Sequence, residues 1–123
     1  MQPEILYRGE RGKRFTLYAI EINGQCPVKE FIKGLKNSKK IQMLALINRI
    51  LEHGPPVNEE KFRSLGNNIY ELKTRSGARI LCFWGKTPNS LVLTHGFNKC
   101  KPKRLEAEKR RALEWFNEYQ TQV

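Results

Sequence analysis

A chain of 123 residues has the length of one domain and can bury a modest core without metal or disulfide support. Its 39% apolar content, with aromatics spread along the chain, excludes a wholly disordered polymer. The 23 Lys and Arg against 12 Asp and Glu leave a formal charge of +11, which favours a phosphate-rich or acidic partner and leaves RNA, DNA, an anionic membrane and an acidic protein all open.

Taken in chain order, "RFTLYAIEI" (14–22) is rich in aromatic and β-branched residues and reads as a strand ended by Asn23-Gly24. "PVKEFIKGL" (27–35) opens on a proline suited to a first helical turn and sets Phe31 and Leu35 four apart, the mark of a short helix. Ser38 is a candidate N-cap for a second helix, "KKIQMLALINRILEH" (39–53), which Gly54-Pro55-Pro56 stops. Its apolar residues cover more than one stripe, so it should be buried on two sides or face a partner. Strands follow at 69–75, 78–84 and 91–97, and Pro102 opens a last helix to about Gln120, with Leu105, Ala112, Phe116 and Tyr119 along one side.

This order predicts a single α+β domain spanning 1–123: a mostly antiparallel four-stranded sheet, two N-terminal helices on one face, and a C-terminal helix leaving the other face open or partly covered. Cys26, Cys82 and Cys100 are odd in number and far apart with no CxxC, so neither a disulfide framework nor a zinc site is expected. No apolar run reaches signal-peptide or membrane-spanning length, and the expectation is a cytoplasmic protein without membrane association.

Period-two alternation puts Glu71, Lys73 and Arg75 on one face of their strand, and Arg79 with Leu81 and Phe83 on one face of the next. In the third, Leu91, Leu93, His95 and Phe97 should share a face. Antiparallel pairing of 78–84 with 91–97 brings Lys99 and Lys101 back to the level of Lys73, Arg75 and Arg79. The two basic groups should therefore converge on one edge of the sheet. That is the strongest physical pointer to a phosphate site.

The frame "KFRSLGNNIYELKTRSGARILCFW", followed by "LVLTHGFNKCKP", resembles the RelE/HigB toxins of type II toxin–antitoxin systems, in particular the phage-derived branch of the RelE/ParE superfamily. "PVKEFIKGL" and "EHGPP" are similar to that branch as well, and the likeness extends over roughly residues 14–112. The resemblance implies a metal- and cofactor-independent endoribonuclease, an mRNA interferase that cuts messages at the ribosome and inhibits translation. In that chemistry a 2′-hydroxyl attacks the adjacent phosphate to give a 2′,3′-cyclic phosphate, and basic side chains stabilise the charge.

By the same resemblance, Lys73 assists deprotonation of the hydroxyl, Arg79 holds the scissile phosphate, Lys99 belongs to the catalytic set, and Arg75 and Lys101 are supporting phosphate ligands. A separately encoded antitoxin, commonly with a helix-turn-helix domain, is the implied partner. Glu71 stands where some relatives have lysine, the paired lysines after "HGF" are here Asn98-Lys99-Cys100-Lys101, and the only C-terminal tyrosine is Tyr119. His95 is the candidate substitute proton donor, although its shared face with Leu93 and Phe97 favours a hydrogen-bonded structural histidine.

The dense run from Lys99 to Arg111, including Lys103 and Arg104, reads as a surface tracking an RNA backbone, and Trp84 as a packing residue that could also stack a base. Two alternatives stand beside the ribonuclease: a non-enzymatic ParE-like inhibitor of DNA gyrase, and a catalytically silent nucleic-acid-binding domain.

Overall fold

The computed structural model describes residues 5–122, in the order β1 (Ile5–Arg11), β2 (Thr16–Ile22), α1 (Pro27–Gly34), α2 (Asn37–His53), β3 (Phe62–Gly66), β4 (Ile69–Lys73), β5 (Ala78–Trp84), β6 (Ser90–Asn98) and α3 (Pro102–Thr121). The α+β class and the three helices agree with the sequence reading. The sheet is larger than the expected four strands: it has six, ordered β1-β2-β6-β5-β4-β3. Its pairs are antiparallel except β2 with β6, which run parallel from Thr16 opposite Ser90 to Ala19 opposite Leu93. That parallel pair forces the chain through α1 and α2 between β2 and the β3–β6 meander.

The two strands missed by sequence are the sheet's edges. β3 carries Ser64 and Gly66 in five residues, is paired on one side only, and shifts register between Ser64 and Gly66, so it lacks a strong alternating pattern. β5 and β6, at the centre, are buried on both faces and read as the near-continuous apolar runs "ILCF" and "LVL".

One apolar layer lies between the sheet and α1 and α2, with Leu17, Leu72, Ile80, Cys82, Leu91 and Leu93 meeting Val28, Met43, Leu46 and Ile50. The second lies under α3, where Ile20, Ile69, Leu81, Phe83, Val92 and Phe97 meet Leu105, Ala112, Phe116 and Tyr119. The far face of the sheet is therefore roofed by α3 and is not an open cradle. α2 starts at Asn37 behind Lys36, with no side-chain cap, rather than behind Ser38; Gly54 ends it, its N–H donating to the Ile50 carbonyl. Ile41 and Leu44 of α2 remain exposed, which explains why its apolar residues exceeded one stripe.

A β-bulge changes the expected facing of β6. Ile80 pairs Gly96 but Cys82 pairs Leu93, so Thr94 and His95 together lie opposite the single residue Leu81. Beyond the bulge the alternation flips: His95 and Phe97 turn to the α3 side, away from Leu91 and Leu93. Gly96 then faces α1, where a Cβ would collide with the ring of Phe31. The His-Gly-Phe stretch is thus a packing device joining β6 to helices on both faces.

Candidate functional site

The cationic residues converge at one end of the sheet. Lys73 and Arg79 are directly opposed across β4 and β5, and Ala78 pairs with Asn98. The turn between those strands closes through Thr74 N–H to the Ala78 carbonyl and Gly77 N–H to the Thr74 carbonyl, with Gly77 at φ 98°, a left-handed value that favours glycine. The Lys99 N–H donates to the Gly77 carbonyl at 2.7 Å and sets Lys99 beside the turn. The pairing argument from sequence therefore delivers Lys73, Arg75, Arg79, Lys99 and Lys101 to one place.

Two helix N-termini open at this same end. α3 begins immediately after Lys101, which occupies its N-cap position, and its first turn carries Lys103 and Arg104 with no acid. α2 also has no acid in its first turn, which includes Lys39 and Lys40; Lys39 Nζ reaches Asn98 Oδ1 at 3.3 Å, and the Ser76 N–H donates to Gln42 Oε1 at 3.1 Å. Cations near a helix N-terminus oppose its dipole and cost about 0.3–1 kcal/mol each. Two such helices, both without an acid to offset that cost, give an end of the molecule suited to anions. Arg75, Lys99, Lys101, Lys103 and Arg104 are exposed there; of these only Arg104 forms an ion pair among the described residues, with Glu108 at 3.7 Å.

Beneath this surface Glu71 is fully buried and holds two arginines. Its Oε1 accepts from Arg63 Nε at 2.8 Å and its Oε2 from Arg79 Nη1 at 3.0 Å. The Arg79 side chain is 13% exposed, and its buried Nε has no hydrogen-bond partner among the described residues. Glu71, which stands where some relatives have lysine, balances the charge of both arginines and fixes the orientation of the guanidinium beside Lys73. The sequence had not shown that Arg63 shares it.

Two site candidates lie elsewhere. His95 is only 3% exposed under α3, with Nδ1 3.0 Å from Thr94 Oγ1, Nε2 3.3 Å from Glu108 Oε1, and its ring against Trp115. Burial lowers its pKa from 6.5 to about 4, against the opposing pull of Glu108 and with a smaller contribution from Arg111. It is a neutral structural histidine across the physiological range. Trp84 lies at the other end of β5 from Arg79, about 17 Å away at the usual strand rise. Its half-exposed ring packs with Phe15, Phe62 and Tyr70. The packing reading accounts for it.

Lys39, Lys40 and Gln42 were missed as site residues. The Lys39-Lys40 pair at the start of a helix was a visible signal, whereas the Gln42–Ser76 contact depends on how α2 is seated. Among the described residues no three His, Cys, Asp or Glu side chains come together to hold a metal ion, and no helix is long and apolar enough to cross a membrane.

No curated protein and no solved structure matches the chain. A family model does: Phage derived protein Gp49-like (DUF891), over residues 30–117, which runs from within α1 through most of α3 and takes in the whole basic end. The chain belongs to this phage-derived Gp49-like family, a RelE/HigB-type toxin-like family.

Proposed function

We propose that this protein is the toxin of a toxin–antitoxin pair and acts as a metal-independent endoribonuclease on mRNA at the ribosome, stopping translation. The observation that carries the reading is the gathering of Lys73, Arg75, Arg79, Lys99 and Lys101 around one turn, at the N-termini of two helices that have no first-turn acid. Such an end suits a phosphodiester better than an acidic protein surface, because fixed guanidinium and ammonium groups match the charge that grows on phosphorus oxygens during 2′-hydroxyl attack.

In this scheme Arg79, oriented by Glu71, binds the scissile phosphate through the part of its guanidinium that reaches the surface. Lys73, opposite it, assists removal of the 2′-hydroxyl proton, and Lys99 stabilises the pentavalent phosphorus. The oxygen–phosphorus bond to the next nucleoside breaks and the leaving 5′-oxygen takes a proton from solvent water, giving a 2′,3′-cyclic phosphate on one fragment and a 5′-hydroxyl on the other. His95 takes no part, since its ring is committed to Thr94 and Glu108 under α3. An antitoxin encoded separately, of the helix-turn-helix kind, belongs to the same reading, as does a cytoplasmic site of action.

The test is inducible expression of wild type and a Lys73→Ala/Lys99→Ala variant, which leaves the Glu71 ion pairs intact, with message 5′ ends mapped after induction. New 5′-hydroxyl ends inside translated messages, lost in the folded variant, are the expected result. Intact messages with folded wild-type protein overturn the reading. Growth arrest in that case would direct attention to DNA gyrase, and unimpaired growth to a silent binding domain.

A further inference from the structure

On the α2 side of the same turn lies a groove of about 350 Å³ that extends beyond the residues of the bond-breaking scheme. It is lined by four basic residues and no carboxylate: Arg49 from α2, Lys61 from the loop before β3, Arg75 from the turn after β4, and the end of β4 at Lys73, whose pairing with Arg79 sets its side chain on the opposite, α3 face. None of the four forms an ion pair with a described residue. Arg49, Lys61 and Arg75 are exposed. Like charges gathered without a counter-ion repel one another. Here they are held together by the backbone: the Lys73 N–H donates to the Lys61 carbonyl at 2.9 Å, and the Ser76 N–H to Gln42 Oε1 closes the turn onto α2.

We propose that this groove is a binding site for the phosphodiester backbone of single-stranded RNA, carrying the strand away from the bond that is cut. The turn that carries Arg75 joins the cleavage end to the groove, so one strand could run continuously from Lys99 past Arg75 to Arg49 and Lys61. The groove has no exposed aromatic platform, so its contribution is to hold phosphates and not to select bases. The inference rests on the ribonuclease reading for its choice of RNA over another polyanion.

The test is fluorescence anisotropy of a labelled, non-cleavable single-stranded RNA, with 2′-O-methyl groups throughout, titrated at several salt concentrations. Wild type is compared with three double variants of equal charge loss: Arg49→Ala/Lys61→Ala in the groove, Lys99→Ala/Lys101→Ala at the cleavage end, and Lys29→Ala/Lys33→Ala on α1 as a control. Each pair of lost phosphate contacts should reduce the slope of log K against log salt by about 1.4. The expected result is that reduction for the groove pair and the cleavage-end pair, with the control close to wild type.

A groove pair that behaves like the control overturns the proposal, while a cleavage-end pair that still loses slope leaves the ribonuclease reading standing. Equal losses in all three would mean diffuse charge attraction and would also overturn the groove as a site. Absence of RNA binding by wild type, or weakening of only duplex DNA or acidic-protein binding in the groove pair, would overturn the choice of RNA.

Discussion

Replacing Glu71 with alanine should be among the most damaging single changes outside the apolar core. Glu71 is fully buried and is the common partner of Arg63 and Arg79, whose side chains are 37% and 13% exposed. Arg63 can turn to water, and losing its contact should cost at most about 1 kcal/mol. Arg79 cannot do so without displacing α3-side packing, and it would retain a charge with neither Nε nor Nη1 satisfied. Breaking a buried pair by removing one member costs about 3–5 kcal/mol. Partial access of Arg79 to solvent reduces that to about 2–4 kcal/mol, or a melting temperature lower by roughly 8–16 °C for a domain of this size.

Urea and thermal denaturation of wild type, Glu71→Ala and the double variant Glu71→Met/Arg79→Met measure this directly. The double variant should recover most of the loss, because it removes the stranded charge along with its partner. A Glu71→Ala protein within 1 kcal/mol of wild type, or a double variant no more stable than the single one, would refute the ion-pair argument.

Three other outcomes follow from the same structure. His95, with a pKa of about 4 when folded against 6.5 unfolded, is protonated first in the unfolded chain, so its contribution to stability is present above pH 6.5 and is lost as pH falls towards 4, by up to about 3 kcal/mol. A His95→Phe protein should show that much less loss between pH 7 and 4 in denaturant titrations, and parallel pH profiles would contradict the assignment. Gly96→Ala should destabilise the fold by about 1–3 kcal/mol through collision with Phe31, with the loss read as a lower urea midpoint; a neutral result would mean that α1 can shift. Lys103→Glu places an acid in the first turn of α3 and should raise stability by about 0.5–1 kcal/mol while weakening RNA binding, so an unchanged melting temperature would dispute the dipole argument.

Where the sequence was informative, the information lay in period and pairing. The three helices and four inner strands follow from local apolar patterns, and antiparallel pairing alone brought Lys99 to the turn at Gly77. β3 gave no such signal, because an exposed, kinked edge strand has only one neighbour to satisfy. Residues 5–11 carry another edge strand that the sequence reading did not assign. The bulge at Thr94–His95 defeated strict alternation, since one extra residue reverses every facing beyond it, and so His95 and Phe97 were grouped with Leu91 and Leu93 when they lie on the opposite face under α3. Arg49 and Lys61 lie far apart in sequence, and only the seating of α2 against the β4 end makes them neighbours of one groove. Helix periodicity says which face is apolar but not how far the helix slides along the sheet.

The most direct test of the central claim is the chemistry of the fragments made by purified protein from an mRNA held on translating ribosomes. Wild type should yield pieces ending in a 2′,3′-cyclic phosphate and beginning with a 5′-hydroxyl, and Lys73→Ala/Lys99→Ala should yield far fewer. An uncut message, or fragments beginning with a 5′-phosphate, would contradict 2′-hydroxyl attack at this site.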